Sequence, residues 1–257
     1  MVGVMLAPER HQQILALIER NGTVRTNELA EKLQVTDETI RRDLQILSEN
    51  GQLIRVHGGA STASGRPALK SFIERSSLNT DAKQAIARTA LQYVEPGKTY
   101  AFDSSTTANT LVSILPEQPL RVLTNAFAVI NRLVQYDNID LISTGGRYHS
   151  KTQTFIGSES IETLRRHNVN VAFVSCIGVD PVRGASEGFE EQAVFKEQLV
   201  HYAEKTFLLA DSSKLNQRSD YYFAGLKQID GIITDKSIPA EVVDAFSTAG
   251  CTVIIAE

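Results

Sequence analysis

Cysteine is nearly absent from this chain of 257 residues: Cys176 and Cys251 are the only two. Both lie inside apolar, strand-like runs, so two buried thiols are expected rather than a disulfide or a metal pair, and a cytoplasmic protein is expected with them. Long apolar runs are missing too. No stretch approaches the roughly 18 to 20 residues of a membrane span. The opening Met1-Val2-Gly3-Val4-Met5-Leu6-Ala7 is apolar, but it has no basic start and gives way to Pro8-Glu9-Arg10, the wrong flanks for a signal peptide. A surplus of basic charge is also missing. The chain holds 26 Lys and Arg against 30 Asp and Glu, a net charge of −4, and residues 1–60 hold seven against eight. Contact with nucleic acid therefore needs basic groups gathered on one face, not bulk charge. There is no low-complexity segment and no fixed-period repeat.

What is present is ordinary for a soluble globular protein: 42% hydrophobic and 22% charged residues, with length for one large domain or two unequal ones. The stretch Val35–Leu47 reads as a short amphipathic helix. Thr36 is placed to cap its start, and Asp37 and Glu38 complement the positive end of the helix dipole. Ile40, Leu44 and Leu47 form a buried stripe. At about 100° per residue, Arg42 points away from that stripe, flanked by Glu38, Arg41 and Gln45. Two adjacent guanidinium groups suit phosphates and guanine edges. An isolated pair of this kind is more simply a solvated face, so the surrounding sequence has to decide.

Pro8 to Asn21 carries Ile14, Leu15, Leu17 and Ile18 at helical spacing and ends at Gly22. Thr23-Val24-Arg25 is extended, and Thr26 is expected to cap a second helix over Asn27–Leu33. Gly51 suits the left-handed residue after the third helix. Leu53-Ile54-Arg55-Val56-His57 alternates apolar and polar residues and runs into Gly58-Gly59-Ala60, a strand and tight turn. Such a β-wing directs Arg55 and His57 to the side opposite Ile54 and Val56. Two helices, a tight turn and a basic wing favour DNA over the protein-binding domains that share the shape.

These residues also resemble a known family. Glu28-Leu29-Ala30, Val35-Thr36, Thr39-Ile40-Arg41-Arg42-Asp43-Leu44, Leu47, Gly51, Leu53, Ile54-Arg55 and His57-Gly58-Gly59-Ala60 are similar to the N-terminal signature of the DeoR family. These are bacterial transcription regulators, mostly repressors of sugar catabolism. The resemblance implies that Thr36 and Thr39 touch phosphates near the helix start. It gives Arg41 and Arg42 phosphate and base-edge contacts in the major groove, beside Glu38 and Gln45, and gives Arg55 and His57 wing contacts. Asp43 is turned back to fix an arginine or a backbone group.

A linker of small polar residues begins at Ser61 and is taken to run over 61–75, with a bridging turn at Phe72–Arg75. From residue 76 to 257 short apolar runs alternate with helical spacing. The runs are Thr99–Phe102, Arg121–Leu123, Asp140–Ser143, Val171–Ser175, Phe207–Ala210, Gly231–Thr234 and Thr252–Ile255. This alternation predicts an α/β domain with a largely parallel sheet. Polar residues cluster where strands end, which is where ligands bind such sheets. The clusters are Asp103-Ser104-Ser105-Thr106-Thr107, Thr124-Asn125, Gly145-Gly146, Gly178-Val179-Asp180 and Asp211-Ser212-Ser213-Lys214.

The clusters resemble the DeoR-family sensor domain, with Ser105 where that family usually has glycine and Gln192 in place of a second acid in Glu191-Gln192-Ala193-Val194-Phe195-Lys196. That domain is similar to ribose-5-phosphate isomerase and senses phosphorylated sugars. The resemblance implies an effector site drawn from Asp103, Ser104, Ser105, Thr106, Thr107, Asn125, Gly145, Gly146, Gly178, Glu187, Glu191, Lys196 and Lys214. An isomerase-type enzyme is the competing reading, with Glu187, Glu190 or Glu191 as base and Lys196 or Lys214 at the developing enediolate. A DNA-binding head makes regulation the better expectation. The domains expected are a winged helix-turn-helix over 1–60, a linker over 61–75 and an effector-binding and oligomerisation domain over 76–257. The partners expected are operator DNA, a phosphorylated sugar and further copies of the chain, as dimer or tetramer. No cofactor, metal or membrane is expected.

Overall fold

The computed structural model describes residues 6–50, 52–61 and 71–257, with 19–21 in backbone only. The chain divides into two compact units, Met1–Lys70 and Ser71–Glu257. In the first, α1 (Ala7–Asn21), β1 (Thr23–Arg25), α2 (Thr26–Leu33), α3 (Asp37–Glu49), β2 (Ile54–Val56) and β3 (Gly59–Ser61) follow in order. Pro8 stands in the first turn of α1, where its missing N–H is no loss, and Gly22 at φ 75° ends the helix. The Thr36 hydroxyl accepts the Thr39 N–H at 3.2 Å and starts α3. Ile14, Ile18, Leu29, Leu33, Ile40, Leu44, Leu47 and Leu53 close one apolar core. β3 pairs antiparallel with both β1 and β2. At Gly59 a Cβ would lie 1.9 Å from the Val24 carbonyl oxygen, so this pairing admits only glycine there.

Two expectations change in this unit. Thr26 does not cap α2 but opens it: its N–H binds the Gly58 carbonyl at 2.9 Å, its side chain is buried, and the cap position falls to Arg25. The wing presents Ile54 and Val56 to solvent, 47% and 39% exposed, because Leu53 alone of this strand's apolar residues enters the core. Gly51 lies outside the described residues.

The second unit runs α4 (Phe72–Ser76), α5 (Thr80–Leu91), β4 (Thr99–Phe102), α6 (Thr106–Val112), β5 (Leu120–Thr124), α7 (Phe127–Leu133) and β6 (Ile139–Ser143). The hairpin of β7 (Arg147–His149) and β8 (Thr154–Ile156) follows, then α8 (Ser158–Arg165) and β9 (Val169–Val174). β10 (Gly178–Asp180), β11 (Gly184–Glu187), α9 (Glu190–Tyr202), β12 (Ala203–Leu209), β13 (Tyr221–Ala224), β14 (Gly231–Asp235), α10 (Ala240–Thr248) and β15 (Val253–Ala256) complete it. All seven expected strands form one sheet, ordered β15-β14-β12-β9-β4-β5-β6, with every pairing parallel.

Alternate residues of the central strands enter two cores, one on each face: Ala101, Leu123, Ala172 and Leu208 in one, Phe102, Val122, Phe173 and Phe207 in the other. Phe173 stacks on Phe102 at 5.6 Å and lies 6.0 Å from Phe207, giving the second face an aromatic spine. β10, β11 and β13 make a separate antiparallel sheet.

The strand order reverses between β4 and β9. The chain builds outward from β4 through β5 to β6, then returns to β9 and builds the other way. Ligand crevices in open α/β sheets form at such a switch point, beyond the carboxyl ends of the strands. The linker expected over 61–75 is shorter at both ends. Ser61 belongs to β3, and Ser71 with Glu74 forms a capping box that turns 72–76 into a helix with Phe72 buried. Among the described residues, no helix is long and apolar enough to cross a membrane.

Candidate functional site

On the first unit the outer face of α3 is open. Glu38, Arg41, Arg42 and Gln45 are all exposed. Arg41 stands 3.5 Å from Glu38 with both side chains more than half exposed, an ion pair of little energetic weight. Gln45 donates to Glu49 at 2.8 Å. Thr36 and Thr39 share a hydroxyl–hydroxyl contact of 2.9 Å at the cap, so their oxygens are already engaged in shaping the helix start. Asp43 faces inward, held by Arg10 and His11 of α1. Arg55 is not a free wing residue: its Nη1 donates to the Arg41 carbonyl at 3.0 Å, tying wing to helix. His57 stays exposed at the turn.

In the second unit a charged cluster fills the switch point between β4 and β9. Asp103, completely buried after β4, accepts from Ser105 N–H at 3.0 Å and from Ser175 N–H at 2.9 Å. Lys196 of α9 lies 2.9 Å from Asp103, donates to the Ser175 carbonyl at 2.7 Å and pairs with Glu187 at the end of β11. Burial alone would raise the Asp103 carboxyl. The Lys196 charge and the N–H donors reverse this and hold it below the usual carboxylate range. Burial alone would lower Lys196, but the charges of Asp103 and Glu187 hold it above its ordinary value. Lys214, following Asp211 at the end of β12, donates to Ser175 Oγ at 2.9 Å. The Cys176 thiol, buried beside this cluster, is pushed up to about 12 by desolvation and is inert.

Several expected residues meet here: Asp103, Ser104, Glu187, Lys196 and Lys214. Ser105 caps α6 by accepting the Ala108 N–H at 3.0 Å, and Thr106 and Thr107 are buried in its first turn. Asn125, at the end of β5, donates to the Phe155 carbonyl at 3.1 Å and leaves a buried Oδ1 without a partner among the described residues. Gly145 and Gly146 take positive φ, 64° and 103°, and turn the chain into β7. Two expectations fall away from the cluster. Gly178 is part of β10, with its carbonyl bound by Ser186, and is not a loop at the end of a sheet strand. Glu191 is exposed and stands 3.6 Å from Arg147, because its position on α9 faces away from Lys196.

Sequence reasoning missed four participants. Ser175 joins Asp103, Lys196 and Lys214 through its N–H, carbonyl and hydroxyl. Gln192 donates to Ser104 at 3.1 Å. Arg75 is partly buried within reach of the charges of Glu187 and Asp103. Its Nε has no hydrogen-bond partner among the described residues, and burial lowers its guanidinium. Lys83 of α5 donates to the Arg75 carbonyl. Burial and the charge of Lys214 lower its ammonium to about 8, against the pull of Asp211. The one signal available was Lys83 itself, a charge on the buried stripe of a helix with Ile86, Ala87 and Ala90. Close by, an open cavity of about 400 Å³ lies between Asn79–Ala82 and Asp211–Ser213, with Asp235 and Ser237.

A helix-turn-helix unit and an α/β unit with a buried charged cluster at its switch point, in one chain, define a transcription regulator that senses a small molecule. The chain belongs to the DeoR family. Residues 10–66 match the DeoR-like helix-turn-helix domain, and residues 78–236 match the DeoR C terminal sensor domain. Among its relatives, the HTH-type transcriptional regulator YulB of Bacillus subtilis is 38% identical over 93% of this chain and 93% of its own length. The putative aga operon transcriptional repressor of Escherichia coli O157:H7 is 30% identical over 96% and 93%. These relatives are regulators and not enzymes, so the isomerase reading is set aside. Among solved structures, ribose 5-phosphate isomerase A from Methanocaldococcus jannaschii aligns over 53% of this chain and 55% of that one, at 19% identity and a TM-score of 0.41.

Proposed function

We propose that the chain represses a sugar-catabolism operon in the cytoplasm and is released from its operator by a phosphorylated sugar held at the switch-point crevice. The observation that carries this reading is the charge gathered there. Four cations, Arg75, Lys83, Lys196 and Lys214, stand against three carboxylates, Asp103, Glu187 and Asp211, in a chain that is acidic as a whole. Cations gathered in this way, beside the hydroxyls of Ser104 to Thr107, suit a phosphate ester. The outer face of α3 reads the operator, with Arg42 and Arg41 at base edges and phosphates and His57 on the backbone. Two half-sites call for two heads, so the working form is a homo-oligomer. Release requires that the effector bind the DNA-competent and DNA-incompetent arrangements with different affinities.

The test is a gel-shift titration of operator DNA with and without a panel of sugar phosphates. Arg42→Ala is expected to lose about 1–3 kcal/mol of operator affinity and to relax sequence preference. Lys214→Met is expected to keep operator affinity and to ignore the sugar phosphate that releases the wild type. Unchanged operator binding by the first variant, or full release of the second, removes the corresponding half of the reading.

A further inference from the structure

In β2 the inward position is taken by a charge. Ile54 and Val56 face solvent, and Arg55 between them is half-buried and turned to α3. Its Nη1 donates to the Arg41 carbonyl at 3.0 Å, while Nε is closed to water and has no partner among the described residues. Arg55 meets no carboxylate among them either. The Arg41 carbonyl belongs to the peptide that joins Arg41 to Arg42, the outward pair of the helix. Helix geometry gives one lone pair of that oxygen to the Gln45 N–H and leaves the second for Arg55. On its inner side α3 is already seated on α1, through Asp43 with Arg10 and His11. β2 is an edge strand that pairs with β3 alone, so side chains decide how it stands against α3. Bidentate contacts to base edges need the reading side chains placed to within about 0.5 Å.

We propose that Arg55 is a positioning residue for sequence reading: it grips the Arg41–Arg42 peptide, sets where Arg42 stands, and is not one of the phosphate contacts. The inference rests on the outer face of α3 being the reading surface. Arg55 then acts through Arg42, so its loss lowers discrimination between sequences and leaves the number of neutralised phosphates unchanged. A phosphate contact behaves in the opposite way. Its loss weakens binding to every sequence alike and lowers the slope of log affinity against log salt by about one.

Two duplexes serve as probes: one selected by the wild-type full chain from a randomised pool, and one of mixed sequence. The affinity of the full chain for each is measured between about 50 and 200 mM salt. Arg55→Met is expected to lose about tenfold in the ratio of selected to mixed binding, the scale of one base contact, with the wild-type salt slope on the mixed duplex. Arg42→Ala is expected to lose the ratio as well. The double variant should lose about what Arg42→Ala loses alone, because both changes remove one contact. Arg55→Lys keeps the charge, but its ammonium stops one bond short of Nη1, so it too is expected to lose the ratio. It carries the test if circular dichroism shows Arg55→Met unfolded. A salt slope shallower by about one in Arg55→Met, a wild-type ratio in either Arg55 variant, or additive losses in the double variant overturns the inference and leaves the reading of α3 standing. A wild type that selects no sequence, or an Arg42→Ala variant with the wild-type ratio, overturns that reading too.

Discussion

Asp43 is where the N-terminal unit concentrates its electrostatic stability. Arg10 of α1 meets both carboxylate oxygens, at 2.5 and 3.0 Å, and His11 Nε2 lies 2.9 Å from one of them. Burial would raise the Asp43 carboxyl. The hydrogen bonds from Arg10 and His11 and the Arg10 charge outweigh it, so the group ionises below its ordinary range. A depressed carboxylate stabilises the fold above the unfolded value near pH 4 and loses that contribution as the pH falls through the folded value. Asp43→Ala leaves the buried Arg10 guanidinium without its carboxylate. It is expected to cost about 3–5 kcal/mol at pH 7 and progressively less under acid, read by circular-dichroism melts across pH. That Asp43 turns inward was legible from its place on the apolar side of the helix. Arg75, Ser175 and Gln192 were not, because nothing local marks a side chain whose partner lies on another strand end or helix.

Elements differ in how openly the sequence announces them. The seven parallel strands are apolar runs bounded by helical spacing, and all seven were readable. The β7–β8 hairpin was not: Arg147-Tyr148-His149 offers no apolar alternation, and its pairing rests on contacts with β8 alone. β11 is equally silent, since Gly184-Ala185-Ser186-Glu187 is small and polar yet wholly buried. The wing was foreseen in outline but with the wrong face outward, because Leu53 satisfies the core and leaves Ile54 and Val56 outside. Its weak point is Gly59, pressed against the Val24 carbonyl. Gly59→Ala forces β1 and β3 apart and is expected to destabilise the first unit by about 1–3 kcal/mol. In a gel shift it should lose operator affinity, while the melting of the second unit stays where it was.

At the scale of the molecule, function depends on local departures from an acidic average. The arginine pair on α3 and the cations of the crevice occupy separate compact units, and each is overwhelmed in any whole-chain sum. Lys83 gives the crevice a pH signature. Its folded value of about 8 lies below that of an unfolded lysine, so between these values the unfolded chain binds the extra proton and stability rises with pH. A bound phosphate favours the charged ammonium, so the proton is taken up on binding. Effector affinity should therefore be flat around pH 7 and fall above pH 8, by up to tenfold per unit. Titration calorimetry between pH 7 and 9 measures this, and Lys83→Met should remove the slope.

Lys196 engages all three of its protons, with Asp103, Glu187 and the Ser175 carbonyl. An ammonium held in this way has no lone pair to attack a carbonyl and no vacancy to take a proton from a carbon atom. It is left only the part of a fixed charge beside whatever lies in the site. In the proposed role the messenger is read without being consumed, so occupancy would follow its concentration in the cell and not the rate at which it is made or used.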